Sequence, residues 1–176
     1  VSTALTSNDI NANTLKLAHQ NVNVNAGIGT SGTRFDRDLT LTAGSQVDIN
    51  SPIYLNNKTL AATAPTITID GFSNVGTGTV RLTSTGSVTQ SQPITAGVLE
   101  LLGTGGAHTL TDAGNQIGEA KMNTGSVVVA NNGATTVNGY QAPGAGTETL
   151  ITPTSPVALE RHGSAIAVDG DVMVVG

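Results

Sequence analysis

The chain has 176 residues, of which 38% are hydrophobic and only 11% charged, with a net charge of −5. Aliphatic content this high with so few charges excludes ordinary disorder, and the acidic balance excludes an electrostatic footprint for nucleic acid or anionic lipid. Two Tyr, two Phe, no Trp and no Cys exclude an aromatic core, a disulfide framework and Cys-based metal sites.

From the N-terminus, VSTALTSNDI carries no signal-peptide pattern, and no later window approaches the ~18 apolar residues of a membrane span. Asn13 to Gln20 is amphipathic but lacks a helical stop signal, which predicts strand. Short alternating runs then recur at Val47-Ile49, Ile67-Ile69, Val80-Leu82, Leu99-Leu101 and Val127-Val129. Turn-forming pairs separate them, among them Ala43-Gly44, Asp70-Gly71, Gly105-Gly106 and Asn132-Gly133. Period-2 alternation over so few residues is the pattern of short half-buried strands. Residues 144–156 are rich in Pro, Gly and Thr and read as a connector. Beyond them, residues 157–176 alternate around Asp169-Gly170-Asp171, a hairpin-like signal.

The chain also repeats itself. LTAGSQVDINSPI from Leu41 aligns with LTSTGSVTQSQPI from Leu82 at an offset of 41, matching Pro52 with Pro93 and Ile53 with Ile94. TITIDGFSNVG from Thr66 aligns with HTLTDAGNQIG from His108 at an offset of 42, matching Asp70 with Asp112 and Gly76 with Gly118. TGSVVVANNGATTVNG at Thr124 echoes TGSVTQSQPITAG at Thr85 at an offset of 39. Each long unit holds two shorter ones, so residues 1–143 are expected to form an all-β parallel β-helix with coils of about 20 residues. Roughly seven coils at ~4.8 Å per strand give a rod of roughly 35 Å, short enough to be a piece of something longer.

Residues 86–118, GSVTQSQPITAGVLELLGTGGAHTLTDAGNQIG, resemble the repeats of filamentous-haemagglutinin-like exoproteins, and the likeness extends over residues 39–139. The resemblance implies a right-handed parallel β-helix on the surface of, or secreted by, a Gram-negative bacterium, with a role in attachment. The last 16 residues, RHGSAIAVDGDVMVVG, resemble the opening of an FG-GAP repeat of integrin-type propellers, with His162-Gly163 in place of Phe-Gly. Strands that cap or continue the solenoid are the other reading of this segment.

Chemistry-bearing residues are sparse. Arg34, Asp36, Arg37 and Asp38 form the densest charge cluster; they read as a solvated turn, with a saccharide or calcium site as the alternative. Asp70 and Asp112 recur before glycines, as turn residues that bond their own backbone do. Asn74 and Asn115 are candidates for an inward amide ladder at a bend, since equivalent residues of stacked coils sit one strand spacing apart. Outward Thr rows predict flat, weakly charged faces. No calcium nonapeptide is present, so no metal or other cofactor is expected. His19, His108 and His162 have no carboxylate or nucleophile at a catalytic spacing, and Glu100, Glu119, Glu148 and Glu160 do not follow the coil period.

The expectation is therefore a non-enzymatic structural or adhesive stalk segment of an exported bacterial surface protein, with no residue assignable to binding. Host or matrix glycans or proteins are the expected partners, with end-to-end or lateral self-association, and without nucleic acid or membrane insertion. The competing readings are a self-assembling extracellular filament subunit and a tailspike-type module that binds or cleaves polysaccharide.

Overall fold

The computed structural model describes residues 13–138 and two further strands, Ala165–Asp169 and Val172–Val175. It is all-β, with parallel strands in stacked coils about 21 residues apart, a β-solenoid of about six turns. The connector at 144–156 lies outside the described residues.

Each coil has three faces. The first is built from residues 14–19 of β1 (Thr14–Val24), residues 38–43 of β2 (Asp38–Ile49), β4 (Leu60–Thr63), β7 (Thr79–Thr83), residues 98–102 of β9 (Ile94–Leu110), residues 119–124 of β10 (Gln116–Ala130) and β11 (Thr136–Asn138). The second stacks residues 21–24, residues 46–49, β5 (Thr66–Ile69), β8 (Ser87–Gln90), residues 107–110 and residues 126–130. The third is short: β3 (Ile53–Tyr54) pairs with β6 (Ser73–Asn74), which pairs with residues 94–95 at the start of β9. All of these pairings are parallel. The exception lies beyond residue 126, where β12 (Ala165–Asp169) joins β10 antiparallel and β13 (Val172–Val175) pairs antiparallel with β12.

The register explains the alternating runs. Successive side chains on a strand point to opposite faces, and the five runs supply inward columns. On the second face one column reads Val22, Val47, Ile67, Val88, His108, Val127. On the first face another reads Leu41, Ala62, Leu82, Leu101, Met122. All of these residues are buried, and all but His108 belong to one continuous hydrophobic core that runs from Val22 to Val129. Parallel sheets are usually covered on both faces; here the outward side is solvated, and Thr, Ser and Asn occupy it.

The columns also account for the offset of 41. Leu41 and Leu82 are separated by Ala62, Ile53 and Ile94 by Ser73, and Val47 and Val88 by Ile67. From Leu41 to Leu82 and from Ile53 to Ile94 large and small side chains alternate, which lets those layers interdigitate at native density; beyond Leu82 the column continues with Leu101 and Met122 and the alternation ends. Like therefore recurs at every second coil in this stretch. Ser87 and Ser126, matched by the offset of 39, are likewise two coils apart, through Ala107.

The offset of 42 holds only in part. Asn74 is in register with Thr95 and then Gln116, as that offset requires, but Ile67 is in register with Val88 and then His108, an offset of 41. One additional residue enters between Leu110 and Gln116. A slip of one residue reverses the side a strand residue faces, so His108 lies beneath Ile67 and points inward, not outward beneath Thr66. The expected amide ladder fails for another reason: Gln116, not Asn115, is in register with Asn74, and Asn115 is fully buried whereas Asn74 is half-buried and outward.

Candidate functional surfaces

The charge cluster at 34–38 closes the corner between the third face of the first coil and the first face of the second. Arg34 Nη1 donates to the Leu55 carbonyl at 3.0 Å, to Asn74 Oδ1 at 2.8 Å and to the Asn74 carbonyl at 3.4 Å. One guanidinium thus ties three coils together. Asp38 Oδ1 accepts from the Thr59 amide at 2.8 Å, and Asp36 lies 3.5 Å from Lys58 Nζ and 3.8 Å from Arg37. These groups act chiefly on each other and on the backbone.

The recurring aspartates have divergent roles. Asp112 Oδ1 accepts from the Gly114 amide at 2.7 Å, an Asx turn, whereas Asp70 Oδ1 accepts from Ser91 Oγ in the next coil at 2.6 Å. Asn115 plugs the following bend. Its Oδ1 accepts from the Ile94 amide at 2.8 Å and from Gln90 Nε2 at 2.9 Å. Its Nδ2 donates to Gln90 Oε1, to the Leu110 carbonyl and to the Ala130 carbonyl. In earlier coils backbone carbonyls serve the same amide position, Pro52 for Ile28 and Pro93 for Ser73. Asn131 repeats the device for Ile117, accepting from its amide at 2.8 Å.

The two long faces differ in outward chemistry. On the first, Lys16, Asp38, Arg81, Glu100, Glu119 and Lys121 all point out. Arg81 and Glu100, neighbours in register, form an ion pair at 2.5 Å, and Lys121 lies 3.6 Å from Glu119, which also accepts from Asn138 at 2.8 Å. Both carboxylates already have cationic partners. On the second face the outward rows are Asn21-Asn23, Gln46-Asp48, Thr66-Thr68, Ser87-Thr89, Ala107-Thr109 and Ser126-Val128. Asp48 is the one charge among these described positions.

Two features were not visible in the sequence reading. Tyr54 and Phe72, both half-buried on the third face, meet edge to face with ring centroids 5.6 Å apart, beside outward Asn56 and Asn74. His108 is 1% exposed, and neither ring nitrogen has a hydrogen-bond partner. Burial pushes its pKa down from 6.5 to about 4, with the Leu102 backbone offsetting part of that shift. Counting back by twos from Leu110 would have placed His108 inward. His19 is exposed on β1; His162, His162-Gly163, Glu148 and Glu160 lie outside the described residues. Among the described residues no group of three His, Asp or Glu is placed to hold a metal ion. No family model, curated protein or solved structure matches the chain.

Proposed function

We propose that this chain is a non-enzymatic stalk segment of an exported bacterial surface protein, with attachment to glycans or proteins through its outer faces. The observation that carries the reading is the use made of the polar side chains. Arg34, Asp38, Asp70, Asn115 and Asn131 all bond other coils or their own turns, which stiffens a rod and does not converge on a reaction centre. The repeats of residues 39–139 that resemble filamentous-haemagglutinin-like exoproteins support the same conclusion and supply the location.

The test is incubation of residues 1–176 with bacterial, plant and host polysaccharides, scoring retention and released sugar together. Retention without release supports an adhesive stalk; released sugar overturns the non-enzymatic reading. A polysaccharide-binding module is the second reading, favoured by the Tyr54–Phe72 pair, because aromatic rings next to amides suit the apolar face and hydroxyl rim of a sugar. Retention that is lost in Tyr54→Ala but kept in Thr89→Ala would locate contact on the third face.

A further inference from the structure

We propose that His108 makes the coils around it acid-labile, so that the rod loosens locally when its surroundings acidify. The argument starts from position. His108 occupies the place in its column held by Ile67 two coils earlier, with Val88 in register on one side and Val127 on the other. Those neighbours are aliphatic and fully buried. A neutral imidazole is tolerated there as a bulky ring; an imidazolium needs acceptors for two N–H groups, and beyond the Leu102 backbone, which offsets only part of the cost of burial, it has none.

Among the described residues no other charge answers it. The inward residues next to it on β9 are Gly106 and Leu110, and on β8 and β10 they are Val88 and Val127. The remaining buried polar side chains among the described residues are Ser73, Ser84, Asn115 and Thr124, none of them ionisable. The charged groups on the opposite sheet, Arg81, Glu100, Glu119 and Lys121, all point outward and are paired there. Asp112, in the turn after Leu110, is engaged by the Gly114 amide.

The bend that leads to His108 is also the most irregular of those described. The register shifts between Thr124 and Ser126, opposite a stretch in which Gly103 and Gly105 both have positive φ. Because each coil contacts only its neighbours, a few coils can open without unfolding the whole array. Opening gives the ring access to water.

The sign follows from linkage. Above pH 6.5 both open and closed forms hold a neutral ring and His108 has no pH effect. As pH falls from 6.5 toward about 4, only the open form takes up the proton, so closure weakens by up to tenfold per unit. Below about 4 the closed form is protonated as well and the loss levels off, at about 300-fold in the opening equilibrium.

Hydrogen exchange of the full chain, corrected for intrinsic rates, tests this at pH 7.5 and pH 5.0. Amides of residues 98–130 are expected to lose about 30-fold in protection at the lower pH, while those of residues 38–69 keep theirs. His108→Ile, which restores the residue type of the column, is expected to abolish the loss. Equal protection at both pH values, or a loss that persists in His108→Ile, overturns the proposal. A second measurement does not depend on that variant folding. In a chain carrying His19→Gln and His162→Gln, the one remaining ring is followed by NMR. Titration well below 6.5, with the midpoint near 4, supports the proposal; titration at 6.5 in the folded chain overturns it.

Discussion

From Phe35 to Ile69 every fully buried side chain is apolar, and backbone carbonyls or Arg34 close the corners. From Ser73 onward the interior takes in Ser73, Ser84, His108, Asn115 and Thr124, with Gln90 half-buried at an inward position. Both halves stack at the same spacing and share the same faces. What differs is how the bends are satisfied. Both halves use backbone carbonyls, and the earlier half adds only part-exposed side chains such as Arg34 and Asp38; the later half adds buried ones, with Ser84 Oγ donating to the Pro65 carbonyl and Thr124 Oγ1 to the Gly103 carbonyl. A linear array permits this because a polar insertion in one coil is felt only by its neighbours. The earlier half gains hydrophobic stability, and the later half exchanges some of it for bends that depend on single residues.

That contrast can be broken from either side. The largest effect is expected in the dry half: Ile67→Ala removes a fully buried side chain from a close-packed column and should cost about 2–5 kcal/mol in urea unfolding. Asn115→Ala attacks the other half, leaving the Ile94 amide and the Leu110 and Ala130 carbonyls without this partner. A loss of roughly 2–4 kcal/mol is expected, with exchange rising first at residues 110–117. Gly103→Ala sharpens the view of the irregular bend. With φ at +120°, a Cβ there would lie 1.9 Å from the Ser84 carbonyl oxygen, and a penalty of at least ~1–3 kcal/mol follows from the strain alone. The smallest effect belongs to the outer surface. Arg81→Ala should cost less than ~1 kcal/mol, and added salt should shrink even that, because Arg81 is 47% exposed.

Much of the architecture was legible because the chain states it many times. Runs such as Val47-Ile49 and Val127-Val129 announce an inward pair, and Pro52 with Pro93 marks the same corner two coils apart. Misplacement arose where a bend changed length. The residue added between Leu110 and Gln116 leaves Gln116 in register with Asn74 through Thr95 but puts His108 beneath Ile67 instead of Thr66, and a single position decides between solvent and core. The Arg34 clamp was hidden for another reason. Two of its three acceptors are backbone carbonyls, of Leu55 and Asn74, and no residue type signals those. The Tyr54–Phe72 contact likewise joins two coils and has no local signature.

The alternation of Leu41, Ala62, Leu82 and of Ile53, Ser73, Ile94 bears on how such a rod changes length over generations. Deleting one coil, for example the one that carries Ala62, Ile67 and Ser73, would seat Leu41 directly on Leu82 and Ile53 on Ile94, crowding one part of the interior. The same deletion would seat Val47 on Val88 and leave another part underfilled. Deleting or duplicating a pair of coils in this stretch keeps large beside small. Unequal recombination between repeats of this gene would therefore yield folded products in steps of a coil pair here, whereas the later coils, where Leu82 seats directly on Leu101 and Leu101 on Met122, carry no such parity.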